Sequence, residues 1–273
     1  MPELPEVETV RAGLSQEILP GTQIKGLCFH REGLRSPFPK FKNHEILGQE
    51  VKAIRRRAKY LLFFLEDKIL LSHLGMTGSW RFKSEAMKHD HVEIDLEDKG
   101  TLVYRDPRRF GQFDILSASD WQRDRRFIHL GPEPLDPQKF TAELMLEKSR
   151  GRKTPVKTFI MDQKVVVGVG NIYASEALFW SKIDPRSPAC NLQLQDWQVL
   201  VHKIRDVLGD AIAFGGSTIS DFRQAGGSQG YFQNHHFVYA CADQPCAICE
   251  QPISSTVLAG RSTFWCSSCQ VMR

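Results

Sequence analysis

Leu130-Gly131-Pro132-Glu133-Pro134-Leu135-Asp136-Pro137 is where the chain changes character. A proline fixes φ and has no backbone N–H, so three within eight residues extend neither a helix nor a central strand. On the N-terminal side lie short runs rich in Val, Ile, Leu and Phe, over 22–30, 50–57, 59–66, 68–74, 91–96, 101–105 and 112–116. Turn material (Glu66-Asp67, Glu97-Asp98-Lys99-Gly100) separates several of them, which predicts close hairpins and an antiparallel sandwich or barrel. One helix precedes the strands. Val7, Val10, Leu14 and Ile18 share a face, Pro5 suits its first position, and Pro20-Gly21 ends it. On the C-terminal side helices are expected. Thr154-Pro155 reads as an N-cap followed by Pro at N1. A further helix is expected over 172–182, and Trp197, Leu200, Val201, Ile204, Leu208, Ala211 and Ile212 mark one face of a long one closed by Gly215-Gly216. The predicted class is α+β.

At 273 residues the chain is about twice a ~150-residue domain, so two domains are expected. A composition of 41% hydrophobic and 25% charged residues excludes global disorder. No apolar run approaches the ~18–20 residues of a membrane helix, and the acidic start MPELPEVETV is unlike a signal peptide. A cytoplasmic protein is expected. The net charge of +4 is mild, but its distribution is uneven. Lys52, Arg55, Arg56, Arg57 and Lys59 form one cluster, Arg105, Arg108 and Arg109 a second, and Arg150, Arg152, Lys153 and Lys157 a third. Interleaved with aromatics, such clusters fit a polyanion; singly, each also reads as a solvated face.

Seven cysteines, an odd number without a regular framework, argue against a secreted disulfide protein. Cys246, Cys249, Cys266 and Cys269 read C-x2-C-x16-C-x2-C, the pattern of a four-cysteine zinc ribbon. Thiolates two residues apart face one ion from a tight turn, and the middle segment returns as a hairpin. One structural Zn2+ is expected. Cys241 lies near enough in sequence to compete, but it breaks the paired spacing.

Two further stretches bear chemistry. Gly168-Val169-Gly170-Asn171 is a glycine-rich turn feeding a helix, suited either to gripping a DNA phosphate with backbone N–H groups or simply to a tight helix–helix turn. At the N-terminus, removal of Met1 would leave Pro2 with a free secondary amine, followed by Glu3 and Glu6 one turn apart. Such an amine can attack a carbonyl-like carbon and form an iminium, an electron sink. The positive end of a helix dipole and partial burial lower its pKa, while neighbouring carboxylates raise it and can shuttle protons. The plainer alternative is an ordinary N-cap with acids complementing the dipole.

PELPEVETV, RRAKYLLF, LSHLGMTGSWR, KHDHVEI, YRDPRRFG, LGPEPL, VVVGVGNIYASEALF, GYF and the cysteine ribbon with AGRSTFWC occur in order. Together they resemble the bacterial formamidopyrimidine-DNA glycosylases, bifunctional base-excision repair enzymes that remove oxidised purines such as 8-oxoguanine and formamidopyrimidines and then nick the strand. The resemblance runs from Pro2 to the last residues. It implies an N-terminal β-sandwich catalytic domain over 1–130, a linker over 131–137, a helix–two-turns–helix DNA-binding domain over 138–235 and a zinc-ribbon finger over 236–273. It also implies a monomer whose partner is double-stranded DNA containing oxidised bases, associated with the nucleoid and with no membrane.

Residue by residue, the resemblance makes Pro2 the nucleophile that attacks C1′ and forms the Schiff base, and Glu3 the acid that assists ring opening. Glu6 helps position the damaged nucleotide. Lys59 matches the lysine of proton transfer in β-elimination, and Arg261, at the expected tip of the ribbon hairpin, matches the residue of δ-elimination. Asn171, Lys157, His89, Arg108 and Arg152 match DNA-contacting positions. Met76, Arg108 and Phe110 match the wedge that fills the gap left by an extruded nucleotide; by residue type alone Met76 and Phe110 read as core. His89 and His91 flank Asp90, a weaker hint of a metal pair than of phosphate contact or packing.

Three departures stand out. Thr158 replaces a usual Pro, Gln229-Gly230 replaces Pro-Gly before Tyr231-Phe232, and Cys241 replaces a basic residue. The loop near Tyr231 is implied to close over the extruded base, so lesion preference is what the change there touches, and loss of a basic residue at Cys241 is expected to weaken one phosphate contact. Leu4 in PELPE points to the purine-directed branch rather than to endonuclease VIII, which acts on oxidised pyrimidines. Three rival readings stay open at the level of sequence: an endonuclease VIII-like enzyme for oxidised pyrimidines, Lys59 as the nucleophile, and a zinc-ribbon DNA-binding protein without catalysis.

Overall fold

The computed structural model describes residues 2–40, 43–216 and 236–273. The described residues group into two compact units, 2–128 with 214–216, and 129–213 with 236–273.

The first unit is built on helix α1 (Leu4–Glu17) and two four-stranded antiparallel sheets. One sheet has the order β1 (Ile24–Phe29), β6 (Asp90–Leu96), β7 (Gly100–Arg105) and β5 (Ser79–Phe82). The other runs β2 (Ala53–Arg57), β3 (Tyr60–Phe64), β4 (Lys68–His73) and β8 (Gln112–Ser117). Ile24, Trp80, Val92, Ile94 and Tyr104 from the first sheet join Leu61, Phe63, Leu70 and Phe113 from the second in one buried core, which makes the pair a sandwich. Val7, Val10 and Leu14 of α1 enter the same core, as their spacing predicts.

Two expectations shift here. Strand β5 is four residues long, too short for alternation to announce it, and it is held through its pairing with β7. Helix α1 begins at Leu4, so Pro5 occupies the second helical position. Glu3 is the N-cap, and it forms a capping box with Glu6: the Glu3 N–H donates to Glu6 Oε2 at 2.8 Å.

The second unit is helical: α2 (Ala142–Ser149), α3 (Val156–Met161), α4 (Asn171–Trp180) and α5 (Leu194–Ala213), followed by the hairpin β9 (Ser254–Leu258) and β10 (Arg261–Trp265). Trp197, Leu200, Val201, Ile204 and Leu208 of α5 pack on α4 in one core. Helix α3 starts one residue later than expected, with Pro155 itself as the extended N-cap. Its neighbours decide this, because Val156 N–H donates to the Ser187 carbonyl and Pro155 bridges Pro188. Helix α4 is buried all round from Ile172 to Phe179, and its Glu176 is 1% exposed. That carboxylate accepts the backbone N–H groups of Phe237, Val238 and Tyr239 at 3.0, 3.1 and 2.8 Å, which ties the approach to the ribbon onto α4. No helix among the described residues is long and apolar enough to cross a membrane.

Candidate functional site

The start of α1 gathers three of the residues singled out above. Pro2, Glu3 and Glu6 are all buried, the two carboxylates at 3% exposure each. The capping reading of the acids and the chemical one are therefore compatible: each carboxylate takes a backbone N–H and stays at the positive end of the helix. Helix α1 is moored to the first unit's second sheet by Arg56, whose Nε donates to Glu8 Oε2 at 2.8 Å. The backbone of Gly216 also comes close to Glu6, since a Cβ built there would lie 3.0 Å from its Oε1.

Lys59 lies in the two-residue turn between β2 and β3, after Ala58 at φ +53°, and is 4% exposed. Pairing places Tyr60 opposite His73 of β4, with ring centroids 4.9 Å apart. Burial, then the charges of Lys59 and Arg35, push the His73 imidazole down to about 4. It is neutral near pH 7, and its Nδ1 accepts the Gly75 N–H at 3.0 Å.

The three expected wedge residues occupy two adjoining turns. Met76 is 38% exposed and Phe110 45%, and the Arg108 guanidinium lies over the Phe110 ring at 5.1 Å. The core reading of Met76 and Phe110 does not hold. His89 is half-buried at φ +75°, and His91 Nε2 donates to the Asp106 carbonyl at 2.9 Å. Neither belongs to a metal-ligating cluster among the described residues.

In the second unit the ribbon hairpin is latched onto the helices. Lys157 Nζ donates to the Ser262 carbonyl at 2.8 Å and to Thr263 Oγ1 at 2.9 Å, and Asn171 Nδ2 donates to the same carbonyl at 3.0 Å. Lys157 is fully buried, whereas Arg152 and Arg261 are exposed. A cavity of about 840 Å³ opens beside this latch. Six basic side chains line it, Arg150, Arg152, Lys157 and Arg261 among them, against the acids Glu147 and Asp162. Arg150, Arg152 and Lys157 of the third basic cluster thus lie beside the hairpin tip, while Lys153 does not line the cavity, and the excess of basic over acidic side chains suits a phosphate backbone. Gly168, at φ +81°, makes a tight turn, and Gly170 caps α4 just before Asn171.

The Sγ atoms of Cys246, Cys249, Cys266 and Cys269 lie within 4.8 Å of one another. The Cys246–Cys269 and Cys249–Cys266 separations are 3.9 and 3.4 Å. Bonds of about 2.3 Å to a tetrahedral zinc put sulfurs about 3.8 Å apart, so the donor set fits one zinc ion with no open position. Cys241 is outside the cluster, with its thiol turned to the carbonyl of Tyr239 at 3.5 Å. Gln229, Gly230 and Tyr231 lie outside the described residues, as does Met1. Sequence reasoning passed over His73, Asp106 and Glu176. Each sits inside one of the motifs above, but only its buried partners reveal what it does.

Three family models cover most of the chain: the formamidopyrimidine-DNA glycosylase N-terminal domain over residues 1–113, the glycosylase H2TH domain over 130–223, and the zinc finger found in FPG and IleRS over 243–271. The formamidopyrimidine-DNA glycosylase of Bdellovibrio bacteriovorus is 47% identical over 272 residues, covering 99% of this chain and 100% of that protein. Among solved structures, the MutM (FPG) protein of Thermus thermophilus superposes with a TM-score of 0.88 at 37% identity, over 100% of both chains. Lactococcus lactis FPG, a mutant bound to Fapy-dG DNA and the wild type bound to DNA with an oxidised pyrimidine, gives 0.87 at 33% and 34% identity, over 98% of this chain and 99% of that one. With matching models for sandwich, helical unit and ribbon, and full-length identity near one half, the chain belongs to the formamidopyrimidine-DNA glycosylase family.

Proposed function

We propose that this protein is a base-excision DNA glycosylase and AP lyase that removes oxidised purines from duplex DNA through Pro2. The observation that carries the reading is the buried Pro2-Glu3-Glu6 start of α1, inside a chain that matches the family end to end. Once Met1 is removed, the Pro2 nitrogen attacks C1′ of the damaged nucleotide. The bond from C1′ to the base breaks and the base leaves with a proton. Glu3 delivers a proton to O4′ as the sugar ring opens, leaving an iminium between Pro2 and C1′. The iminium acidifies the C2′ protons. Lys59 moves one of them, and the electron pair expels the 3′ phosphate in β-elimination. A second elimination, assisted by Arg261, expels the 5′ phosphate, and water returns the free amine. Glu6 positions the damaged nucleotide. Met76, Arg108 and Phe110 fill the vacated stack, and His89, Arg152 and Asn171 serve the phosphate backbone, whereas Lys157, expected to contact DNA, is fully buried and instead holds the ribbon hairpin that presents Arg261. Bound zinc supplies the ribbon with a closed, rigid knuckle.

Borohydride tests the nucleophile. It should trap a covalent adduct on 8-oxoguanine duplex that maps to Pro2, and acetylating the terminus or retaining Met1 should abolish adduct and strand cleavage while DNA affinity stays. An adduct mapped to Lys59 would overturn the assignment, and salt-sensitive binding without any adduct would leave a DNA-binding protein only. Because a relative has been solved on oxidised-pyrimidine DNA, a panel of lesion bases belongs in the same experiment to rank purine against pyrimidine excision. Through its DNA the protein would be associated with the nucleoid.

A further inference from the structure

The turns that carry Met76 and the Arg108–Phe110 pair come from different parts of the sandwich. Met76 lies between β4 and β5, and Arg108 and Phe110 lie between β7 and β8. Three exposed side chains on two turns act as one wedge only if the turns keep a fixed relation. Two features hold them. The first is backbone contact: Gly75, at φ +63°, lies so close to the other turn that a Cβ on it would stand 2.5 Å from both Gly111 N and the Phe110 carbonyl carbon. The second is Asp106, which is fully buried.

Asp106 is bonded to both turns. Its Oδ1 accepts the Thr77 hydroxyl at 2.6 Å, and its Oδ2 accepts the Gly111 N–H at 2.8 Å. The Thr77 hydroxyl oxygen in turn accepts the Arg108 N–H at 3.1 Å. The backbone of Asp106 is fixed from behind, since its N–H donates to the His89 carbonyl at 3.1 Å and its carbonyl accepts from His91. Tyr104, buried beneath the turns, donates its hydroxyl to the His73 carbonyl at 3.1 Å. Among the described residues no cation pairs with the Asp106 carboxylate in a salt bridge. Its desolvation is offset by these two charge-assisted hydrogen bonds, so both are held strongly.

We infer that Asp106 and Thr77 form a positioning clasp that joins the Met76 turn to the Arg108–Phe110 turn, so that the three side chains enter the DNA stack as one rigid body. This rests on the wedge reading of those three residues given above. Neither clasp residue touches DNA. Both act by fixing the separation of side chains that do, and preorganised geometry of this kind sets the rate of a step more than the stability of the fold.

Thr77→Val removes the hydroxyl that links Asp106 to Arg108 while keeping the side-chain shape, and Thr77→Ser restores it. Single-turnover excision of 8-oxoguanine from duplex is measured alongside the fluorescence of 2-aminopurine placed beside the lesion, which reports insertion into the stack. Thr77→Val should slow both by about threefold to tenfold, the worth of one hydrogen bond of ~0.5–1.5 kcal/mol expressed as rate. Thr77→Ser should return both to within about twofold of the parent, and Asp106→Asn should slow both at least as much as Thr77→Val. Met76→Ala and Phe110→Ala serve as the reference for the wedge. If they slow excision while Thr77→Val does not, the clasp is wrong and the wedge stands. If neither Met76→Ala nor Phe110→Ala slows excision, the wedge is wrong and takes the clasp with it. A Thr77→Val deficit that Thr77→Ser fails to rescue, accompanied by an unchanged fluorescence phase, would likewise overturn the clasp.

Discussion

His73 should make this protein lose stability on mild acidification. Its imidazole is held near 4 in the folded chain against 6.5 in an exposed histidine, by burial first and then by Lys59 and Arg35. A folded-state value below the unfolded one means that the unfolded chain binds the extra proton first. The stabilising contribution is therefore whole above pH 6.5 and is lost as pH falls through that value toward about 4. At 1.36 kcal/mol per unit the full difference comes to about 3 kcal/mol, an upper figure because the ring keeps part of its surface in water. His73→Asn places an amide oxygen where Nδ1 now accepts the Gly75 N–H, and it does not titrate. Urea unfolding of both proteins from about pH 4 to about pH 8 should show the wild-type advantage shrinking by ~1.4 kcal/mol per pH unit across the window. An NMR titration of the His73 ring should place its midpoint well below that of an exposed histidine. A stability difference that stays flat with pH, or a ring that titrates near 6.5, would refute the assignment of a neutral His73 beside Lys59.

Replacing Cys249 with Ala should release zinc, measured by metal content, loosen the hairpin that carries Arg261 and weaken DNA binding; full affinity and activity in the metal-free variant would remove that role for the ribbon. Glu176, buried under the Phe237–Tyr239 backbone, has its carboxyl raised by burial above the ordinary 4.5 despite the three N–H donors that oppose the rise. Its contribution is thus present below pH 4.5 and lost as pH rises through the folded value, and Glu176→Gln should erase that part of the pH dependence of unfolding. Met76→Ala should cost about 1–2 kcal/mol in denaturant unfolding, because the side chain is already partly in water, against ~2–5 kcal/mol for a core methionine; a loss in the core range with normal turnover per folded molecule would return Met76 to the core.

Local chemistry accounts for what was legible in one dimension. The zinc site is written in two pairs of cysteines at the same spacing, because each pair needs only a tight turn to face a common ion. The change from strands, the last of which in the first unit ends at Ser117, to helices, the first of which in the second unit begins at Ala142, is written in prolines and in a shift of hydrophobic period, both properties of neighbouring residues. The start of α1 is similar: the acids that cap it lie within one turn of Pro2, so their proximity was assured once the helix formed.

What only the tertiary structure decided has partners distant along the chain. Lys157 reads as an exposed basic residue, yet it is buried because the Ser262 carbonyl, 105 residues on, meets it at the end of its own helix. Met76 and Phe110 read as core residues, yet both stand in solvent, because the turns beneath them are closed by Asp106, Thr77 and Tyr104. His73 alternates in a strand like any half-buried polar residue. Its neutrality comes first from burial and then from Lys59 and Arg35, which approach it from other elements. Periodicity records which face a residue turns toward the core, but the charge and solvent it meets there depend on segments that chain folding alone brings together.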